Sequence, residues 1–253
     1  MLCAPLPVQL QPMTPRHRPT AFASELRRIV ADLEGDRRAL VDADVRTLDS
    51  AGVRSVDDLF ESLRRTDDAD LPIIACWFVP RIRGIPKATA VRQLVCLLAD
   101  PSARVRHSAA IALGELGSRS ATSRLLKAIG DEDAEVRMAV VYALGKLGDV
   151  RARESLLHVL GDLDEKPKIR AAAAESLGSL GDRESGPALV ACLRDRSPEV
   201  RLFCAFALGE LREPRALRAL QRMVRTDKGR VRTYGTVGRA ARSAIEAIRG
   251  ARA

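Results

Sequence analysis

Aromatic side chains are scarce in this sequence: one Trp, two Tyr and five Phe make up 3% of 253 residues. Strands favour aromatic and β-branched residues, so a β-sandwich is a poor fit. Histidine occurs three times, as His17, His107 and His158, and none is followed by Glu. That excludes an H-E-x-x-H zinc helix. The five cysteines, Cys3, Cys76, Cys96, Cys192 and Cys204, include no C-x-x-C pair or zinc-ligand spacing. Four of them (all but Cys3) lie in apolar helical runs, where a free thiol packs as a small hydrophobe, pointing to a reducing, cytoplasmic setting. Phosphate-cradling glycine loops and the G-x-S-x-G elbow are missing too. The acidic pairs Asp57/Asp58, Asp67/Asp68 and Asp131/Asp133 sit at helix starts, where they complement the helix dipole. No catalytic, cofactor-binding or metal-ligating constellation is expected.

Long apolar runs are missing as well, and no membrane span is expected, since crossing needs ~20 apolar residues. Pro5, Pro7, Pro12, Pro15 and Pro19 interrupt the first 20 residues, which speaks against a signal-peptide core. Residues 1–20 read as a disordered Pro-rich tail, with Met13 a second possible start.

What the chain has is Ala, Leu and Arg, all strong helix formers, in a repeat. An apolar-Arg pair recurs as Val105-Arg106, Val136-Arg137, Ile169-Arg170, Val200-Arg201 and Val231-Arg232. After the first four comes Leu-Gly, at Leu113-Gly114, Leu144-Gly145, Leu177-Gly178 and Leu208-Gly209; a second follows at Leu116-Gly117, Leu147-Gly148 and Leu180-Gly181. Such self-similarity marks a repeat architecture. Val136, Val140, Leu144 and Leu147 form one helical stripe, Gly148 suits a left-handed cap, and Gly145 suits close helix approach. A second helix carries Ala152, Leu156, Val159 and Leu160; Leu94, Leu125, Leu189 and Leu220 are its equivalents in other repeats. Neither helix buries its stripe alone, so stacked pairs are required.

The predicted fold is therefore all-α, an α-solenoid of about five helix pairs. Residues 21–66 read as an acidic helical cap. The solenoid spans 67–253, with a degenerate first repeat at 67–98, clear repeats at 99–225 and a C-terminal cap at 226–253. In the degenerate repeat Pro80 should end or kink its helix. In the last, Arg239-Ala240 stands where Leu-Gly belongs.

These residues, most closely the run Asp131–Gly148, resemble the HEAT-like repeat family in the short form named after phycobilisome lyases. The resemblance implies a role for Arg106, Arg137, Arg170 and Arg201: a structural ladder with acidic groups of the inter-helix turns. Asp131, Asp133, Asp162 and Asp195, 4 to 8 residues upstream, are the candidates. A related HEAT-repeat enzyme family, deoxyhypusine hydroxylase, holds two irons through His-Glu pairs, which this chain lacks.

The function expected is a non-catalytic protein-binding scaffold or adaptor that holds another protein on the concave face. That face is expected on the second helices, with a partner-binding strip of Arg92, Lys127, His158, Arg218 and Arg222. Trp77, Phe78, Phe203 and Phe206 read as core, although Trp77 and Phe78, being adjacent, cannot both face inward. Charge supplies an alternative. Residues 21–70 carry 8 Lys/Arg against 13 Asp/Glu, and residues 195–253 carry 14 against 6. A basic C-terminal region suits an anionic partner such as nucleic acid, while the few aromatics disfavour base stacking. A second alternative, a bilin-lyase-like accessory role, rests on the resemblance.

Overall fold

The computed structural model describes residues 71–81 and 85–250, together with Phe60. The Pro-rich tail and all of the acidic cap except Phe60 lie outside the described residues. Helices alternate along the chain as first and second members of pairs. The first helices are α1 (Leu71–Phe78), α3 (Ala103–Leu116), α5 (Ala134–Leu147), α7 (Pro167–Leu180), α9 (Pro198–Glu210) and α11 (Val237–Gly250). The second helices are α2 (Lys87–Leu97), α4 (Thr122–Ala128), α6 (Arg153–Gly161), α8 (Gly186–Cys192) and α10 (Leu217–Thr226). A 3-10 turn at Val79–Arg81 follows α1 and contains Pro80. Between α10 and α11 a short antiparallel hairpin pairs β1 (Arg230–Val231) with β2 (Gly235–Thr236).

Successive first helices pack directly on one another, and each second helix packs onto the first helix of the following repeat. One continuous apolar core runs through the described repeats. Leu94, Leu125, Leu156, Leu189 and Leu220 are fully buried second-helix anchors, and Leu113, Leu144, Leu177 and Leu208 are their first-helix counterparts. Truncating such a side chain to Ala costs about 2–5 kcal/mol.

The first Leu-Gly glycine is a contact point. A Cβ on Gly114 would lie 2.9 Å from the Cα of Ala143, and one on Gly145 would lie 2.5 Å from Ser176 Oγ and 3.0 Å from its Cα. The neighbour at these points is backbone, which cannot swing aside. The second glycine is a terminator: Gly117, Gly148 and Gly181 have φ of 62°, 57° and 70°. At the fourth repeat Leu211-Arg212 replaces Leu-Gly, yet Arg212 keeps the same conformation at φ 50°.

The last repeat departs from the sequence-based register. Val231-Arg232 lies in the hairpin, so the hairpin is an insertion ahead of α11. Gly209 faces Ala244 as Gly114 faces Ala143: a Cβ on Gly209 would lie 3.0 Å from the Ala244 Cα. The Leu-Gly equivalent is thus Ile245-Glu246, six residues beyond Arg239-Ala240, and Val237 takes the buried place of Val200.

Substitutions at these turns and contacts test the backbone argument by urea unfolding. Gly114→Ala gains roughly 1 kcal/mol of helix propensity but overpacks against Ala143, at a cost of about 1–3 kcal/mol, so a net loss is expected; Gly130→Ala, with open space around it, should be neutral. Arg212→Gly should stabilise by about 1 kcal/mol, by relieving a left-handed non-glycine residue.

Candidate functional site

Three surfaces matter: the turn edge with the repeated arginines, the outer side of the second helices, and the open side of the first helices. At the turn edge each arginine fork reaches two ways. Arg106 Nη1 donates to the carbonyl oxygens of Asp100 and Pro101 at 3.0 and 3.2 Å, holding its own repeat's turn. Its Nε and Nη2 donate to both oxygens of Asp131 at 2.8 Å, 25 residues downstream. Arg137 does the same with Glu165 at 2.6 and 2.9 Å, and Arg201 with Asp227 at 2.7 and 2.9 Å. Arg170 donates to the Leu160 carbonyl at 3.1 Å and to Asp195.

The carboxylates therefore come from the next repeat's turn, and not from the upstream turn expected from sequence. The upstream turn supplies carbonyl oxygens instead. Asp131 and Asp195 are used, but by Arg106 and Arg170; Asp133 instead caps α5 through the N–H groups of Glu135 and Val136, and Asp162 accepts the Asp164 N–H. Glu165 and Asp227 were not among the expected partners, although each lies 26 to 28 residues after its arginine, in the place Asp131 takes after Arg106. Hydrogen bonds from Arg106, Arg137 and Arg201 hold Asp131, Glu165 and Asp227 respectively below the ordinary carboxylate range.

On the outer side, Arg92, Lys127, His158, Arg218 and Arg222 are exposed on α2, α4, α6 and α10. They do not join into one basic strip. The α8 position of this column is Ala191, and the cleft beside His158, of 580 Å³, is lined by Glu154, Asp162 and Asp164. Arg218 and Arg222 are neighbours on α10, one turn apart.

The open side of the first helices carries residues that sequence reasoning missed. Tyr142, Glu175 and Phe206 occupy matching positions on α5, α7 and α9, with Lys146, Ser179 and Glu210 one turn later. Tyr142 is 42% and Phe206 36% exposed, while Phe203 is buried at 7%. Of the two α9 rings expected in the core, only Phe203 is there. Tyr234 of the hairpin, 51% exposed, meets Phe203 edge-on at 5.0 Å, and Phe206 meets it at 6.1 Å. Lys146 Nζ lies 5.4 Å from the Tyr142 ring centre. A cleft of 310 Å³ opens between α5 and α7 beside Tyr142 and Glu175. Burial, and then the charge of Glu175, push the Glu210 carboxyl up. The signal available in the sequence was the column itself, Ile111, Tyr142, Glu175 and Phe206, which mixes large apolar, aromatic and charged residues where a core position would stay small and apolar. The side chains of Trp77 and Phe78 lie outside the described ones.

Known proteins share this architecture. The family description for HEAT repeats matches residues 91–166 and 162–237. The chain belongs to the HEAT-repeat family. Deoxyhypusine hydroxylase-B of Oryza sativa subsp. japonica is 34% identical over 132 residues, 52% of this chain and 33% of that protein; the chain thus spans a third of that relative's length. The structure of the complex of CpcE and CpcF of phycocyanin lyase from Nostoc sp. PCC7120 matches at TM-score 0.57 and 25% identity, over 76% of each chain. An engineered protein matches at TM-score 0.51 and 20% identity, over 76% of this chain and 95% of its own, a likeness of fold alone. No described helix of this HEAT-repeat chain is long and apolar enough to cross a membrane.

The iron centre that the resemblance attaches to deoxyhypusine hydroxylases needs several converging His and Glu side chains. Among the described residues no three His, Cys, Asp or Glu side chains converge on one point. The donor set among the described residues does not fit such a centre.

The turn-edge pairs predict an acid dependence. Carboxylates whose folded pKa lies below the unfolded value of about 4 stabilise the fold above that pH. That contribution disappears as pH falls through the folded value, so stability should decline below about pH 5. Asp227→Asn should cost about 1–3 kcal/mol at pH 7 and flatten part of the decline between pH 5 and 3, as read by urea unfolding across pH.

Proposed function

We propose that this HEAT-repeat chain is a non-catalytic scaffold that holds another protein, and that it does so on the first helices. The observation that carries this reading is the placement of rare rings. Both tyrosines of the chain, Tyr142 and Tyr234, are exposed beside the first-helix layer together with Phe206. Burying such rings only on association is how interface anchors work, and aromatic residues dominate binding energy at protein contacts.

The direction of curvature supports the same face. Two stacked layers bend toward the layer with the shorter spacing. Glycine–alanine contacts bring the first helices to backbone-to-backbone approach, while second helices pack chiefly against first helices. We therefore assign the concave side to the first helices, in place of the second-helix strip expected from sequence. The likeness to CpcE and CpcF, solved as a complex, supports pairing with another protein. Glu175 and Glu210 give the centre of this face a negative character, which favours a partner with basic residues at its rim.

The test is capture from a native lysate followed by gel filtration, with the same bait carrying Tyr142→Ala and Phe206→Ala. The intact chain should elute with a stoichiometric partner, and the double variant should lose at least about tenfold in affinity, as expected for two anchors of about 1–2 kcal/mol each. Elution of the intact chain alone overturns the reading. So does a partner that is indifferent to both rings but lost on changing Arg92 and Lys127.

A further inference from the structure

The proposed aromatic face leaves a second surface unexplained, at the outer side of the last helix pair. Between residues 212 and 232 the chain carries eight Lys and Arg side chains, all exposed. The two acids in the stretch are committed elsewhere: Glu213 is buried and caps the turn before α10, and Asp227 is held by Arg201. Within the described residues none of the eight makes a side-chain hydrogen bond or ion pair. Two arginines at the turn before α6 differ: Arg151 is bound to Asp149, and Arg153 to Asp182.

The arrangement is a stripe. Arg215, Arg218, Arg222 and Arg225 follow at steps of three, four and three, so they lie along one side of α10 and the turn that leads into it. Like charges one turn apart repel and weaken a helix, and Arg218 in the first turn opposes the helix dipole. The matching position on α6 is Glu154, the sign the dipole prefers. Only Arg225, in the last turn, complements the dipole; Arg215, Arg218 and Arg222 bring the helix no such benefit.

We infer that the α10 stripe binds the phosphate backbone of a double-stranded nucleic acid, independently of the protein-binding face. Seven residues of helix advance about 10 Å from Arg218 to Arg225, which matches about three phosphates of one strand at ~3.4 Å rise. Arginine forks suit phosphate oxygens. Stacking platforms are missing from the stripe itself, so recognition is of backbone charge and not of bases, which favours a duplex over a single strand. A duplex presents one charge per ~1.7 Å of its axis without interruption, a denser array than carboxylates spaced along a protein helix.

Fluorescence anisotropy of a labelled duplex of about 20 base pairs, titrated with the full chain from low to high salt, tests this. Binding should weaken steeply with salt. The variant Arg218→Gln, Arg222→Gln, Arg225→Gln should lose at least about tenfold at low salt, and its slope of log affinity against log salt should fall by about 3. A control removing three exposed arginines elsewhere (Arg183, Arg194 and Arg196 to Gln) should stay within about twofold, as should Tyr142→Ala with Phe206→Ala. Unchanged melting by circular dichroism separates lost binding from lost fold. The inference is overturned by flat anisotropy at low salt or by equal losses in stripe and control variants. Polyglutamate or phosphatidylserine vesicles binding as tightly as the duplex would likewise overturn it, by pointing to an acidic protein or a membrane.

Discussion

Backbone-to-backbone contact between successive first helices is the constraint on which the rest of this solenoid depends. Gly114 against Ala143, and Gly145 against Ser176, leave no room for a Cβ. Side chains between such helices must be small, which accounts for the alanines buried along α3, α5, α7 and α9 and for the scarcity of rings. The few rings that exist are displaced to where the layer opens: Tyr142 and Phe206 stand on the free side of α5 and α9. Packing chemistry and the exposure of these rings are thus one consequence of the same glycine.

The arginine forks solve a second problem, the register between neighbours. Small side chains slide easily, because a smooth Ala–Gly interface has few knobs. A guanidinium that grips the carbonyls of its own turn with one nitrogen and the next turn's carboxylate with two others fixes translation as well as distance. Lysine, a point charge on a flexible stem, could not hold both in one plane. Asp131, Asp195 and Asp227 also accept N–H groups of their own turns, from Asp133, Ser197 and Gly229, so each carboxylate shapes a turn while it anchors a neighbour. These pairs are largely buried, so desolvation offsets much of their attraction while loss of one partner is costly; their chief effect is on geometry.

The fold was legible in the sequence because the repeat states its own period. Leu-Gly doublets located both the close contact and the helix stop, and the buried leucines follow the stripes drawn from spacing alone. What was not legible shares a physical origin. A first helix lies between two neighbours and a second-helix layer, so its apolar arc is wide, and periodicity cannot tell the arc's rim from its centre. Phe206, one turn after buried Phe203, sits on that rim. The arginine partners were misplaced because sequence distance favours the near turn, while a long side chain on the edge of a stack reaches the next repeat at equal cost. The register of α11 was misread because an inserted hairpin preserved the 31-residue step of Val-Arg by coincidence; the contact of Gly209 with Ala244 corrects it.

Net charge gains meaning once the committed groups are set aside. The formal excess of +9 says little while ladder arginines and surface arginines are counted together. The turn pairs commit arginines and carboxylates to one another, Arg106 and Arg153 each holding more than one acid, so the excess collects where the acids run out, along α10. In a globular domain such a stripe would bear on the whole electrostatic balance of the fold. In a solenoid each repeat interacts chiefly with its neighbours, so repulsion along α10 is confined to the last pairs, whose stability rests on Leu220, Val237 and Ala244 and not on surface charge. That locality lets one end of the array carry an unpaired basic stripe while the first-helix layer keeps its own pattern of exposed rings. The two surfaces need no coupling to coexist in one chain.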